Sequence, residues 1–379
     1  MPKELSLYLH FPFCQRKCFY CDFNSYADKN RLIPDYLRAL ENEIRRFSPQ
    51  HPVIRSVYFG GGTPSLIPAE SLTKLLAYVR QYFGVAADAE ITIEVNPGTV
   101  GIEDLIILRT GGFNRLSIGL QAVQNKILNT IGRIHTWEQF REVFGYSREC
   151  GFDNIGVDLI AGLPGQTTGD WNVSLQKVTE LGPEHLSVYA LQIEDGTPLA
   201  EMIERGAVEL PAEEEVARML NQAMVFLRSQ GFEHYEIANY ARPGYESRHN
   251  FGYWTGRDYL GFGAGASSTC YGERWVNLKD PELYAERLRA GLSVIAERET
   301  LDETKRLTEA VMLGLRVRRG LDLDWLRERF HLNLLDQAGL EIEQLAAAGL
   351  VVIRENRLAL TDEGVLVSNQ VLAKIMRNL

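Results

Sequence analysis

The sequence predicts an α/β protein in two parts: a partial (β/α)6 barrel, then a small α+β unit with a winged-helix-like order of elements. Three observations predict this. From Leu5 to about Tyr240, short apolar or β-branched runs alternate with longer amphipathic segments, the pattern of βα units on a parallel sheet. Six such units fall short of the eight that close a barrel, so the sheet should stay open. From about Asp302 the pattern becomes three helices, a hairpin and a closing helix.

Strands are expected at 5–10, 54–59, 90–95, 115–120, 154–160 and 185–191. Helices are expected between them at 34–47, 68–83, 102–109, 137–150 and 170–181. Pro34 and Pro68 stand at first turns, where the missing N–H removes no helical bond. A further helix at 211–230 leads into an edge strand at 233–240.

In sheets of this kind, ligands gather at the carboxyl ends of the strands. Past the first strand come Cys14, Cys18 and Cys21. Past the second comes Gly60-Gly61-Gly62-Thr63-Pro64, and the third ends on Glu94-Val95-Asn96-Pro97. The fourth ends on Gly119-Leu120-Gln121. Asp158 lies in the fifth, ahead of Gly162-Leu163-Pro164-Gly165, and the sixth carries Tyr189-Ala190-Leu191-Gln192. One such group is an ordinary loop; its recurrence at every strand end points to a shared site. Glycines let a ligand approach the backbone closely. Glu94 and Asp158, set in apolar strands, would meet donors such as an amine or ribose hydroxyls. Arg133 would find a better partner in a ligand carboxylate than in water. Taken singly, Gln121 and Arg133 read better as an ordinary polar strand end and a surface charge.

Three cysteines within eight residues can converge on one inorganic centre. Soft thiolates suit a four-iron cluster, and three of them leave one iron open. A zinc site, with His10 as fourth partner, stays open on spacing alone. Five cysteines, three of them clustered, make a poor disulfide framework and a good metal site. Cys150 and Cys270 read as small buried hydrophobes.

The net charge of −10 argues against broad nucleic-acid binding. No secretory signal and no spanning run of apolar residues is expected, which predicts a cytoplasmic protein with at most peripheral membrane contact. A homodimer is left open.

From about Pro243 the pattern changes. Arg248-His249-Asn250-Phe251-Gly252-Tyr253-Trp254 sets a histidine beside an amide and three aromatics, and 261–268 reads as a small-residue turn. A histidine so placed is a structural residue, or else an axial ligand or wall for a flat aromatic ligand. The expected division is 1–240 as the core, 241–300 as a connecting segment and 301–379 as a C-terminal unit. In the last, helices are expected at 304–318, 323–330 and 335–348, a hairpin at 350–354 and 357–360, and a closing helix from Thr361, which offers a cap. Asp336, Glu341 and Glu343 favour a packing or partner-binding role over DNA binding.

The Cys-x-x-x-Cys-x-x-Cys motif, with Tyr20 before its third cysteine, resembles the radical S-adenosylmethionine superfamily. The glycine motif and the strand-end groups strengthen the likeness. It is most similar to the group of the oxygen-independent coproporphyrinogen dehydrogenase and its haem-chaperone relatives, over essentially the whole chain. The resemblance implies a radical S-adenosylmethionine barrel in which Cys14, Cys18 and Cys21 hold a [4Fe–4S] cluster, with S-adenosylmethionine on the open iron. It implies further cofactor contacts at Tyr8, Tyr20, Gly61, Gly62, Thr63, Glu94, Gln121, Arg133, Asp158 and Ala190, which turns Gln121 and Arg133 towards function. Reductive cleavage to a deoxyadenosyl radical is the family chemistry. Two features point to the chaperone branch. Where the dehydrogenase continues Cys-x-Cys, this chain has Cys21-Asp22-Phe23, and His249-Asn250-x-x-Tyr253-Trp254 matches a motif associated with haem binding. The extra N-terminal segment of the dehydrogenase is also not expected here. The resemblance therefore implies haem bound near His249 and handed to an apoprotein acceptor such as a respiratory enzyme, with porphyrin synthesis as the alternative.

Overall fold

The computed structural model describes residues 4–47 and 52–377. Six strands run parallel, each beside its predecessor: β1 (Glu4–Phe11), β2 (Val53–Gly61), β3 (Gly84–Val95), β4 (Arg115–Gln121), β5 (Ile155–Ala161) and β6 (His185–Ala190). The connections carry α1 (Ile33–Arg46), α2 (Ala69–Tyr82), α3 (Ile102–Gly111), α4 (Asn125–Thr130), α5 (Trp137–Glu149) and α6 (Thr168–Glu180). The partial (β/α)6 barrel expected from the alternation is the fold of this part. α5 and α6 start where capping boxes dictate, Thr136 with Gln139 and Thr167 with Asp170. The short α4, which precedes Arg133, has no sequence signal comparable to these.

Leu5, Leu7, Leu9 and Phe11 of β1 join the main core with Tyr36, Leu40 and Ile44 of α1. The alternate positions point to the other face, the barrel interior, because side chains alternate along a strand. There Ser6 pairs with Ser56, Tyr8 with Tyr58, Tyr58 with Thr92, Glu94 with Ser117 and Asp158 with both Gly119 and Ser187. The interior is thus a layered polar lining inside an apolar sheet.

After β6 come α7 (Pro198–Glu204), not expected from the sequence, and α8 (Glu213–Ser229). The edge strand expected at 233–240 is instead a hairpin, β7 (Glu233–His234) and β8 (Asn239–Ala241), antiparallel on β6. Glu236 interrupts it: its carboxylate accepts the Ala238 N–H at 3.2 Å, and its backbone bridges to Val317 of the C-terminal unit.

The segment read as a connection, 241–300, holds α9 (Arg248–Trp254), β9 (Tyr259–Phe262), β10 (Ser267–Cys270), β11 (Glu273–Asn277), α10 (Pro281–Arg289) and β12 (Ile295–Thr300). β9 pairs parallel with β1, and β10, β11 and β12 extend the sheet beyond it. The small-residue run is therefore not one turn. Gly261 lies in β9, where the Ser267 carbonyl presses on the space a Cβ would need. α9 crosses the open side of the barrel: Phe251 packs on Tyr235 near β7, and Tyr253 packs edge-on against Tyr259 of β9.

The C-terminal unit comprises α11 (Glu303–Gly314), β13 (Leu321–Asp322), α12 (Leu323–Phe330), α13 (Leu334–Ala347), β14 (Val351–Arg354), β15 (Arg357–Leu360), α14 (Asp362–Leu366) and α15 (Ser368–Met376). It has its own core around Val311, Leu326, Ala338, Leu358 and Ile375. The β14–β15 turn places Glu355 and Asn356 at positive φ, as a tight hairpin requires. The closing helix is split at Val367 (φ −118°, ψ 28°). Cys270 is buried as expected, whereas Cys150 is only half-buried. Among the described residues, no helix is long and apolar enough to cross a membrane.

Candidate functional site

The cysteine loop leaves β1 at its carboxyl end and is tied down by backbone bonds. The Cys14 N–H donates to the Tyr26 carbonyl (3.0 Å), the Phe19 N–H to Ile131 (3.0 Å) and the Cys21 N–H to Cys18 (3.2 Å). His10, the fourth partner a zinc site would need, is spent inside this scaffold. Its Nδ1 bonds the Tyr8 hydroxyl at 3.1 Å and its Nε2 lies 2.9 Å from the Asn24 carbonyl. Burial pushes the Cys21 thiol up to about 11, so it is no free thiolate at neutral pH, and a metal must displace its proton.

The glycine motif packs against this loop. The Gly62 N–H donates to Phe11 (2.9 Å) and the Thr63 N–H to Phe13 (2.8 Å), while the Thr63 hydroxyl lies 3.5 Å from Cys14 Sγ. A Cβ on Gly62 would stand 2.7 Å from the Phe13 carbonyl and 3.1 Å from Cys14 Sγ. Gly61 has φ +118° and presents its N–H to Glu94 Oε2 at 3.0 Å.

Glu94 also accepts from the Tyr58 hydroxyl at 2.9 Å. Its burial raises it to about 7 despite those donors. Asp158, facing the Ser117 hydroxyl at 3.4 Å, is likewise raised by burial. Arg115, fully buried at mid-depth, interacts electrostatically with both carboxyls.

Arg133 reaches the loop from behind α4. It is 9% exposed, donating to Asn96 Oδ1 (2.9 Å), the Gly119 carbonyl (2.5 Å) and Cys18 Sγ (3.5 Å). Its Nε–H is buried with no protein partner. Tyr20 lies beside Arg133 and Cys18. Gln121 holds φ +74° where β4 bulges against β5, an uncommon conformation for a non-glycine residue. Gly119 leaves room for both, since a Cβ there would stand 3.0 Å from Gln121 Nε2 and 3.3 Å from Arg133 Nη2. Ala190 is the last residue of β6, paired with Ala161.

The donor set fits a four-iron cluster carrying an amino-acid-like ligand. Three sulfurs share one loop, a guanidinium touches one of them with an unused buried donor, and buried carboxyls stand ready for an amine or hydroxyls. Among the described residues, no three His, Cys, Asp or Glu side chains group as ligands of a single metal ion. Tyr58, Asn96, Arg115 and Ser117 belong to this arrangement but are absent from the sequence-predicted site residues. The signal that could have found them is the period-two recurrence of polar residues within apolar strands.

His249 lies apart from the cysteine loop. Its ring stacks on Tyr58 at 4.9 Å, its Nδ1 lies 3.0 Å from Ser56 Oγ and its Nε2 lies 2.8 Å from the Tyr253 hydroxyl. Burial, reinforced by Arg115 and Arg257, drives it down to about 3, so the ring is neutral. Ser56 donates to Ser6 Oγ, which places the His249 proton on Nδ1 and makes Nε2 the acceptor for Tyr253. Glu90 receives the Arg248 and His249 N–H groups at 2.8 and 3.0 Å and so fixes the start of α9.

α9 turns three of its residues, Asn250, Tyr253 and Trp254, towards a cavity of about 1370 Å³ between the barrel and the C-terminal unit. This exceeds the roughly 300–1,000 Å³ of ordinary small-ligand clefts. His249 stands one layer behind this wall. A chain of contacts, Glu94 to Tyr58 to His249 to Tyr253, joins the barrel mouth to the cavity.

Comparison with known proteins bears on both sites. Residues 8–178 match the model of the radical SAM superfamily, and residues 301–367 that of the HemN C-terminal domain. A Bacillus subtilis protein named haem chaperone HemW is 34% identical over 377 residues, covering 99% of this chain and 100% of the relative. Its namesake from Mycobacterium tuberculosis H37Rv is 36% identical over 386 residues, covering 99% and 96%. Among solved structures, the Escherichia coli coproporphyrinogen III oxidase HemN, described as a radical SAM enzyme, superposes with a TM-score of 0.86 at 27% identity. That match covers 100% of this chain and 91% of that one.

Proposed function

The chain belongs to the radical SAM superfamily and, within it, to the HemW family, and from that premise we propose that it is a haem chaperone. Haem binds in the cavity beside α9 and passes to an apoprotein acceptor. The observation that carries this reading is the wall itself: the haem-motif residues Asn250, Tyr253 and Trp254 all face one large cavity. Aromatic faces of this kind stack on a macrocycle. His249 contributes from behind, by holding the Tyr253 hydroxyl.

In this reading Cys14, Cys18 and Cys21 hold a [4Fe–4S] cluster at the barrel mouth. Arg133 and Gln121 receive the carboxylate end of S-adenosylmethionine, while Gly61, Gly62, Thr63 and Glu94 enclose its amino end. Asp158 takes the ribose hydroxyls, and Tyr8, Tyr20 and Ala190 complete the walls. Bound there, the cluster would supply an electron to the sulfonium. The protein's own part is to fix the ligand between buried carboxyls and a buried guanidinium and to keep water out.

The alternative is oxidative decarboxylation of coproporphyrinogen III. Phe23, where the dehydrogenase pattern has a cysteine, is 61% exposed and offers no sulfur. The test is to reconstitute the protein anaerobically, load it with haem and offer it an apo-haemoprotein. In parallel, the reconstituted protein is assayed for vinyl-group formation from coproporphyrinogen III. Haem transfer without vinyl product is expected; sustained vinyl formation would overturn the chaperone reading.

A further inference from the structure

The cavity beside α9 carries a charge pattern that its aromatic wall does not explain. The chain as a whole has a net charge of −10. Yet six arginines and only four acidic residues line this cavity. Two of the arginines are neutralised locally, Arg274 by Glu309 at 2.7 Å and Arg357 by Asp322. Of the other two acids, Asp258 accepts the Tyr271 N–H at 3.0 Å, and Glu236 is buried.

Four guanidinium groups remain, on Arg257, Arg306, Arg319 and Arg329, and none forms an ion pair among the described residues. Arg319 lies over the Phe251 ring at 5.3 Å and Arg329 over Phe330 at 5.0 Å. Stacking of this kind leaves the in-plane N–H fork free to receive an anion. Arg306 is half-buried, and its guanidinium occupies the space that a Cβ on Gly272 (φ +83°) would fill. Arg257 and Arg306 are half-buried, whereas Arg319 and Arg329 are exposed at the rim; the inner pair loses hydration and all four like charges repel, a cost that an anionic ligand offsets. The large apolar side chains that face the same space, Tyr189, Tyr271 and Trp325, are 42%, 55% and 47% exposed. The occupant therefore needs a broad apolar body and at least two anionic groups.

We propose that the cavity selects its ligand through carboxylates: Arg306 and Arg319 grip the two acid groups of a planar dicarboxylate. The acid edge then faces the C-terminal unit, and the flat body lies along Tyr253 and Trp254. This deepens the haem-site reading and rests on it. Haem meets the requirement through its two propionates. A guanidinium fork matches a carboxylate with two parallel bonds, which a neutral ester cannot reciprocate.

The test titrates haemin and haemin dimethyl ester into the reconstituted full-length protein, read by absorbance. The wild type is expected to bind haemin about tenfold or more tightly than the ester. In Arg306→Gln/Arg319→Gln the two affinities should converge to within about threefold, by loss of haemin binding alone. Arg306→Lys should recover only part of the preference, because it restores the charge without the fork. Unchanged cluster iron and far-ultraviolet dichroism would show that the variants fold. Equal binding of both porphyrins by the wild type, or a preference that survives in the double variant, overturns the carboxylate clamp and leaves the haem site standing. Binding of neither porphyrin overturns the haem reading and this inference together.

Discussion

At Gly62 the absence of a side chain is a condition of the cysteine loop. Gly62→Ala would press a methyl group against the Phe13 and Phe11 carbonyls, backbone atoms at 2.7 and 3.0 Å, and against Cys14 Sγ at 3.1 Å. The variant should retain less iron and acid-labile sulfide after reconstitution than the wild type. Cys18→Ser should lose its cluster iron, because two thiolates hold a cluster poorly; full iron and sulfide in that variant would refute the ligand assignment. The cysteines and glycines were legible because they stand close together in sequence. Tyr58, Arg115 and Ser117 were not, since a polar residue in an apolar strand has no visible partner until the register sets Tyr58 beside Thr92 and Glu94 beside Ser117. His249 was legible as a motif residue, but its direction, away from the cavity and onto Ser56 and Tyr58, comes only from the packing of α9.

At the scale of elements, Glu43 fastens α1 to the strands added beyond β1. It is buried on the inner face of α1 and accepts from the Tyr284 hydroxyl (2.5 Å), Asn277 Nδ2 (2.7 Å) and the Gly263 N–H (2.8 Å). Removing it leaves three buried donors without that partner. Glu43→Ala should therefore cost on the order of 3 kcal/mol, read as a lowered thermal midpoint, with Glu43→Gln costing less. The six βα units were legible because each pairs a short apolar run with a capped or proline-led helix. β9 to β12 were not: they are only four to six residues long and draw their stability from the edge that β1 offers. The interruption at 235–238 was hidden for a similar reason, since Glu236 forms its bridge with Val317, far along the chain.

Over the whole molecule, buried titratable groups set how stability responds to pH. Burial raises Glu43, Glu94 and Glu236 to about 7 each. For a carboxyl raised in this way the folded chain holds the proton longer than the unfolded chain does. Its contribution to stability is therefore lost as pH rises from about 4.5 to about 7. His249, driven down to about 3 by burial, works oppositely, and its contribution is lost as pH falls below about 6.5. Glu236→Gln removes one of the first kind. Relative to the wild type, it should gain stability between pH 5.5 and pH 8, by on the order of 1–3 kcal/mol, in thermal melts at the two values.

Glu236 also marks the seam where the barrel meets the C-terminal unit, bridged to Val317 and followed by the Arg318 N–H bond to the Tyr235 carbonyl at 3.1 Å. The cavity lies along this seam, between residues such as Tyr189 and Trp325 that are remote in sequence, so no local pattern announced it. The most direct test of haem binding there is an anaerobic haem titration of reconstituted wild type and Trp254→Ala, with iron and sulfide measured on both. The expected result is an unchanged cluster and a loss of haem affinity of about tenfold or more in the variant. Equal affinity in the two proteins, at equal cluster content, would contradict haem binding at this wall.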